Sequence, residues 1–213
     1  MKSLRFEGGL SHILLIGAHC DDIEIGCGGS LLRLLSEHPR ARVTWVVCAS
    51  NPVREKEARA CAAAFLRNRR SDVRVLGFRD GFLPAHWAEL KDAFETLKKD
   101  VAPDLIFTHY RHDLHQDHRA VSELTWNTFR NHAILEYEIP KWDGDLGVPN
   151  VFIPIPAKIL EGKITRVMRH YRTQAGKAWF TADLFRALPR LRGMECNSAS
   201  GFAEAFYSRK ISL

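Results

Sequence analysis

The chain has 213 residues, 46% hydrophobic and 26% charged, with a formal net charge of +6. This predicts a single globular domain over residues 1–213 with an ample core, and no apolar run approaches the roughly 20 residues of a membrane span. Five cysteines (Cys20, Cys27, Cys48, Cys61 and Cys196) are odd in number and lack C-x-x-C spacing, which argues against a disulfide framework or a zinc ribbon and favours a reducing cytoplasm.

The first predicted element is an apolar strand of buried, parallel type over residues 13–16. It runs into His19, Asp21 and Asp22, then into Gly26, Gly28 and Gly29, whose expected role is a tight backbone turn beneath the polar group. The dinucleotide fingerprint G-x-G-x-x-G is absent there. A helix with Leu31, Leu32 and Leu35 on one face follows and ends at Pro39. A second strand (43–48) leads to a long helix from Pro52 to about Arg70, with Ala58, Cys61, Ala62 and Phe65 inward. The densest basic group, Arg67, Arg69 and Arg70, falls at that helix end. Elsewhere Lys and Arg are scattered, so the expected partner is an anionic small molecule and not a nucleic acid.

A third strand (73–78) opens into a loop carrying Asp80, and residues 87–101 read as a helix with Leu90, Ala93, Phe94 and Leu97 on one side. A fourth strand (104–109) is followed by a helix starting near His118, with Val121, Leu124, Thr125 and Phe129 buried. Strand and helix alternating in this way predict an α/β fold with a mainly parallel sheet and helices on both faces. Two short strands (134–139 and 151–155) flank a loop containing Trp142, an aromatic well placed to shape a binding pocket. A helix over 157–172, a segment over 178–191, a turn-rich stretch over 192–201 and an apolar pattern over 202–206 complete the chain.

Two strands thus end in polar clusters on the same edge of the sheet, where open α/β folds bind ligands. The second cluster, residues 109–118, holds four histidines and two aspartates. A lone histidine is ordinarily structural, but burying so many titratable groups together calls for a metal or a reaction. A catalytic zinc takes about three N/O ligands, which His19, Asp22 and one later histidine could supply.

The segment A-H-C-D-D-I-E-I-G-C-G-G (18–29), together with H-Q-D-H-R-A-V (115–121), resembles the PIG-L/LmbE family of zinc-dependent de-N-acetylases. The resemblance implies a Rossmann-like three-layer α/β sandwich. It implies one zinc per chain, with iron(II) as the alternative, on His19, Asp22 and His118. Asp21 would be the general base, His115 the group that stabilises the oxyanion and serves the leaving amine, and Asp117 its orienting partner. Arg54, opening an R-x-x-E with Glu57, and Asp80 become candidate substrate contacts. The reaction implied removes the N-acetyl group from an N-acetylglucosamine-type sugar conjugate, phosphorylated or nucleotide-linked given the basic charge, and releases acetate and a free amine. Oligomerisation stays open.

The chain departs from the family pattern at Cys20, where a proline is usual, and at Ile23, where many members have glutamate. Cys20 could approach the metal or pack away from it, and Glu24 could stand in for the missing glutamate. Rival readings are a metal-dependent phosphoesterase and a non-enzymatic nucleotide-binding module; the latter leaves His115, Asp117 and His118 unexplained.

Overall fold

The computed structural model describes residue 6 and residues 8–211. In chain order its elements are β1 (His12–Gly17), α1 (Asp22–Glu37), β2 (Arg42–Ala49), α2 (Pro52–Leu66), β3 (Ser71–Phe78), α3 (Trp87–Asp100), β4 (Leu105–His109) and α4 (Gln116–Thr128). Then come β5 (Ala133–Tyr137), β6 (Val151–Pro154), α5 (Ala157–His170), α6 (Ala182–Glu195) and β7 (Ala203–Tyr207). The strands form one sheet in the order β3-β2-β1-β4-β5-β7-β6. The first five to occur in the chain pair in parallel; β7 is antiparallel to both β5 and β6.

Side chains alternate across β1, as the period of a strand requires. Ile13 and Leu15 enter the core shared with α1, α2 and α5, whereas Leu14 and Ile16 enter the core shared with α3 and α4. The result is the expected three-layer sandwich. Strand order reverses at β1, which lies between β2 and β4 with Leu14 opposite Ile106. A crevice opens at such a switch point beyond the carboxyl ends of the strands. β1 and β4 are also the strands that end in the two polar clusters, so topology alone brings those clusters together.

The glycines after Asp22 do something other than turn the chain. Gly26, Gly28 and Gly29 lie inside α1, whose first ten residues are all buried. A Cβ at Gly26 would collide with the Tyr137 ring, and one at Gly29 would lie 2.6 Å from Ile155 Cδ1 and 2.9 Å from Glu204 Oε1. Their absent side chains let a helix sink into the middle of the molecule. Glu204 in turn accepts the mid-helix N–H groups of Gly29 (2.9 Å) and Ser30 (2.7 Å), and buried Lys163 bridges Glu204 and the Ile25 carbonyl at 2.6 Å each.

Several boundaries also differ from expectation, three of them for a visible reason. α2 stops at Leu66 because Arg67 turns left-handed (φ 51°), freeing the chain for edge strand β3. α4 begins at Gln116, two residues before His118, because His115 caps it. α6 continues past Pro189 to Glu195, with its last turn held by the Arg192 ion pairs to Glu138 (2.6 Å) and Glu195 (2.8 Å).

Candidate metal centre

The chain leaves β1 at Gly17, and α1 starts only five residues later, so His19, Asp21 and Asp22 crowd onto one tight connection. Asp22 accepts the His19 N–H at 2.7 Å, which curls the backbone and turns both side chains to one side. β4 ends at His109, and after a short loop α4 brings His118 in on its first turn.

Three donors then converge. His118 Nε2 lies 3.2 Å from His19 Nδ1, Asp22 Oδ2 lies 3.4 Å from His19 Nδ1, and Asp22 Oδ1 lies 3.6 Å from His118 Nε2. Bonds of about 2.0–2.1 Å to a tetrahedral zinc would place neighbouring donors about 3.3–3.4 Å apart. The donor set and its spacing fit such an ion.

The outer nitrogens of both histidines are held by carboxylates. His118 Nδ1 is 2.9 Å from Asp113 Oδ2, and His19 Nε2 is 3.1 Å from Asp117 Oδ2 and 3.2 Å from Asp80 Oδ1. Each carboxylate draws the ring proton outward and turns a lone pair inward, the arrangement that orients metal-binding imidazoles. Asp117 is itself pinned by the N–H groups of Gly81 (2.7 Å) and Leu83 (3.1 Å).

The two histidines are shifted in opposite directions. Burial alone would lower the His19 pKa, but the charge of Asp22 and hydrogen bonds to Asp117, Asp22 and Asp80 carry it well above the ordinary histidine value. Burial and neighbouring His109 lower His118 to about 4, against Asp22 and Asp113. Burial would raise Asp22, yet the charges of His118, His109 and His19 hold it well below the usual carboxylate value.

Asp21 points elsewhere, toward Arg54, whose Nη2 is 3.1 Å from Asp21 Oδ1. Burial raises the Asp21 pKa; Arg54 opposes that rise and the adjacent Asp22 adds to it. The pairing is one of charge: Arg54 Nε and Nη2 are buried without hydrogen-bond partners. The His115 ring packs edge-on to His19 (centroids 4.8 Å) and stacks on His118 (4.6 Å).

The pairing of Asp117 with His115 takes a different form from the one expected. The Asp117 carboxylate faces His19, and what reaches His115 Nδ1 is the Asp117 backbone N–H, at 3.2 Å. With His115 as N-cap, residues 115 and 117 cannot turn their side chains toward each other. Asp80 stands at the mouth with its side chain 73% exposed. Trp142, 79% exposed, lies beyond the donor set in the loop after β5. Cys20 turns away from the donors, its Sγ 3.1 Å from Ser50 Oγ and its pKa pushed up to about 11 by burial. Glu24 also points away, accepting the Tyr171 hydroxyl at 2.5 Å.

Residues without an assigned role complete the centre. Asp113 holds His118, accepts the His115 N–H at 2.8 Å and pairs with Lys141 at 2.9 Å. His109 accepts the Ala18 N–H at 2.9 Å and stacks on His118 with centroids 3.9 Å apart. Both lie in the histidine-rich run, but neither belongs to a motif that marks it out from its neighbours.

Fold and site together define a Rossmann-like α/β protein with a cluster of His and Asp donors that could hold a metal ion at its topological switch point. The chain belongs to the PIG-L family, described as GlcNAc-PI de-N-acetylase, which it matches over residues 14–129, more than half its length. It is thereby a member of a deacetylase family. It is 27% identical over 178 residues to the uncharacterized deacetylase YaiS of Escherichia coli K12, covering 74% of this chain and 89% of that one. Among solved structures it resembles N,N'-diacetylchitobiose deacetylase from Pyrococcus horikoshii (TM-score 0.72, 20% identity, 93% of this chain and 84% of that one). It also resembles the conserved protein TT1542 of Thermus thermophilus (TM-score 0.73, 22% identity, 94% and 95%). At such identities these two likenesses establish the fold.

Proposed function

We propose that the protein is a zinc-dependent hydrolase that removes the N-acetyl group from an N-acetylglucosamine-type sugar conjugate, working in the cytoplasm. The observation that carries this reading is the set of three donors, His19 Nδ1, Asp22 and His118 Nε2, within 3.2–3.6 Å of one another beside a separate carboxylate, Asp21. A zinc held there would make a water acidic at neutral pH and polarise a carbonyl oxygen. Asp21 is the base that takes the water's proton as its oxygen attacks the acetamide carbon. Arg54 is charge-paired with that carboxylate, and Arg54 and Asp80, the latter exposed at the mouth, are the proposed contacts to the sugar.

His115 is set up to donate. Its Nδ1 accepts the Asp117 N–H, so the neutral ring carries its hydrogen on Nε2, ready for the carbonyl oxygen as that atom gains negative charge. The proton held by Asp21 then passes to nitrogen, the C–N bond breaks, and acetate and the amine leave. Five free, buried cysteines accord with a reducing compartment.

The test is a metal analysis coupled to an acetate-release screen over N-acetylated sugars. Asp21→Ala is expected to keep its zinc and lose turnover by about 10²–10⁴-fold. Undiminished turnover in that variant would remove Asp21 as base; hydrolysis of a generic phosphodiester without acetate release would replace the reading with a phosphoesterase.

A further inference from the structure

The family match ends at residue 129, and the two chain segments that flank the mouth of the site both lie beyond it. The loop after β5 and the connection between α5 and α6 face each other across a cleft of about 210 Å³, lined by Trp142, Leu146, Trp179 and Leu184 among others. Trp142 leaves 79% of its surface exposed there. An aromatic so exposed beside a concave wall is placed to stack on a flat partner.

Both walls are tied to the catalytic centre. On one side Lys141 donates to Asp113 Oδ2, the oxygen that also holds His118, and Asp145 accepts the Leu114 N–H at 2.7 Å. On the other side Tyr171 lies under the Arg54 guanidinium (5.7 Å), and Thr173 donates twice to Glu57, at 2.8 and 2.5 Å. From there the chain turns through Gln174 to Lys177, whose Nζ stands 5.8 Å from the Trp179 ring centre. The segments that wall the cleft are therefore anchored on the same loops and helix starts that carry the proposed centre.

Its charge is uneven. Lys141 is neutralised by Asp113 and Asp145. Lys177, exposed, donates to the neutral amide oxygen of Gln174 at 2.6 Å, and among the described residues no carboxylate pairs with it. Lys177 is not itself part of the cleft's lining but stands beside Trp179, which is, so an anion on a bound molecule would meet this cation just past that ring.

We propose that this cleft receives the non-reacting half of the substrate, a phosphate joined to a flat ring, with the ring stacked between Trp142 and Trp179 and the phosphate paired with Lys177. The inference rests on the deacetylase reading and names its substrate class: an N-acetyl sugar carried on a nucleotide-like group. Lysine suits a phosphate as a compact point charge, and indoles accept the face of any planar ring.

Four probes separate the parts: free N-acetylglucosamine, its 1-phosphate, its phenyl glycoside, and uridine diphosphate N-acetylglucosamine. Turnover is read as acetate, and binding as tryptophan quenching in the Asp21→Asn variant. The nucleotide sugar should be turned over best. Lys177→Gln should reduce kcat/KM for the two phosphorylated probes by about tenfold or more and leave the neutral ones unchanged. Trp142→Ala should act on the two ring-bearing probes; both side chains are exposed, so neither change threatens folding. Tight binding of the nucleotide sugar, lost in Lys177→Gln, without acetate release from any probe would sustain the cleft and overturn the deacetylase reading. Acetate released equally from all four probes, with both variants unaffected, would overturn the cleft and sustain the deacetylase.

Discussion

At the scale of single residues, the centre depends on carboxylates that never touch the proposed metal. His118 can present Nε2 only while its other nitrogen is held, and Asp113 does this at 2.9 Å from a position where burial would raise its pKa but the hydrogen bond from His118 and the charges of His118, His109 and Lys141 hold it low. Asp113→Asn keeps the shape and can still accept one hydrogen bond, but it removes the charge that makes the imidazole a stronger donor. Zinc affinity should fall by about 10–100-fold, measured by competition with a coloured chelator. Asp21→Ala should leave that affinity near the parent value, because Asp21 faces Arg54 and not the donor trio. If the two variants lost zinc alike, the division between holding the metal and handling the proton would be wrong. Asp113 was the hardest member of the centre to see in the sequence: it lies among four histidines, and only the loop geometry selects which one it holds.

At the scale of elements, α1 is a helix whose burial defies its composition. Three glycines in four positions disfavour a helix by about 1 kcal/mol each relative to alanine, which is why the run reads as a turn. Packing overrides propensity here: Tyr137, Phe65, Ile155 and Glu204 fill the space that side chains at Gly26, Gly28 and Gly29 would occupy. Gly26→Ala gains intrinsic propensity but meets a ring that cannot retreat, since the Tyr137 hydroxyl donates to the Ile16 carbonyl at 2.7 Å. Overpacking of about 1–3 kcal/mol should win, lowering the urea midpoint of unfolding; an unchanged or raised midpoint would show that the ring yields. The convergence of His19 and Asp22 with the later histidine cluster was legible because both groups fell at the ends of apolar runs, and the choice of His118 among those histidines came from the family resemblance alone. The sheet's parallel half was legible from its alternation of strand and helix. The insertion of β7 between β5 and β6 was not, because pairing partners far apart in sequence leave no local signal.

At the scale of the whole molecule, the proposed metal site joins side chains from two separate parts of the chain. His19 and Asp22 follow β1 and His118 arrives after β4; the two strands pair in the sheet, and His109 at the end of β4 accepts the Ala18 N–H just beyond β1. A cation shared by the three side chains would bind the folded chain and not the unfolded one, so it must raise stability by linkage, by about 2.7 kcal/mol when zinc stands at 100 times its Kd. For a protein of this length that corresponds to about 5–10 °C in Tm. Asp22→Asn should abolish most of the shift, since the amide can still accept the His19 N–H that shapes the turn but no longer carries the charge both histidines face. The shift in the parent should also shrink as pH falls, because protons compete with the metal for the imidazoles. Scanning calorimetry with and without zinc, on parent and variant at two pH values, checks all three. Equal shifts in parent and variant would place the binding ion somewhere other than between these two strands.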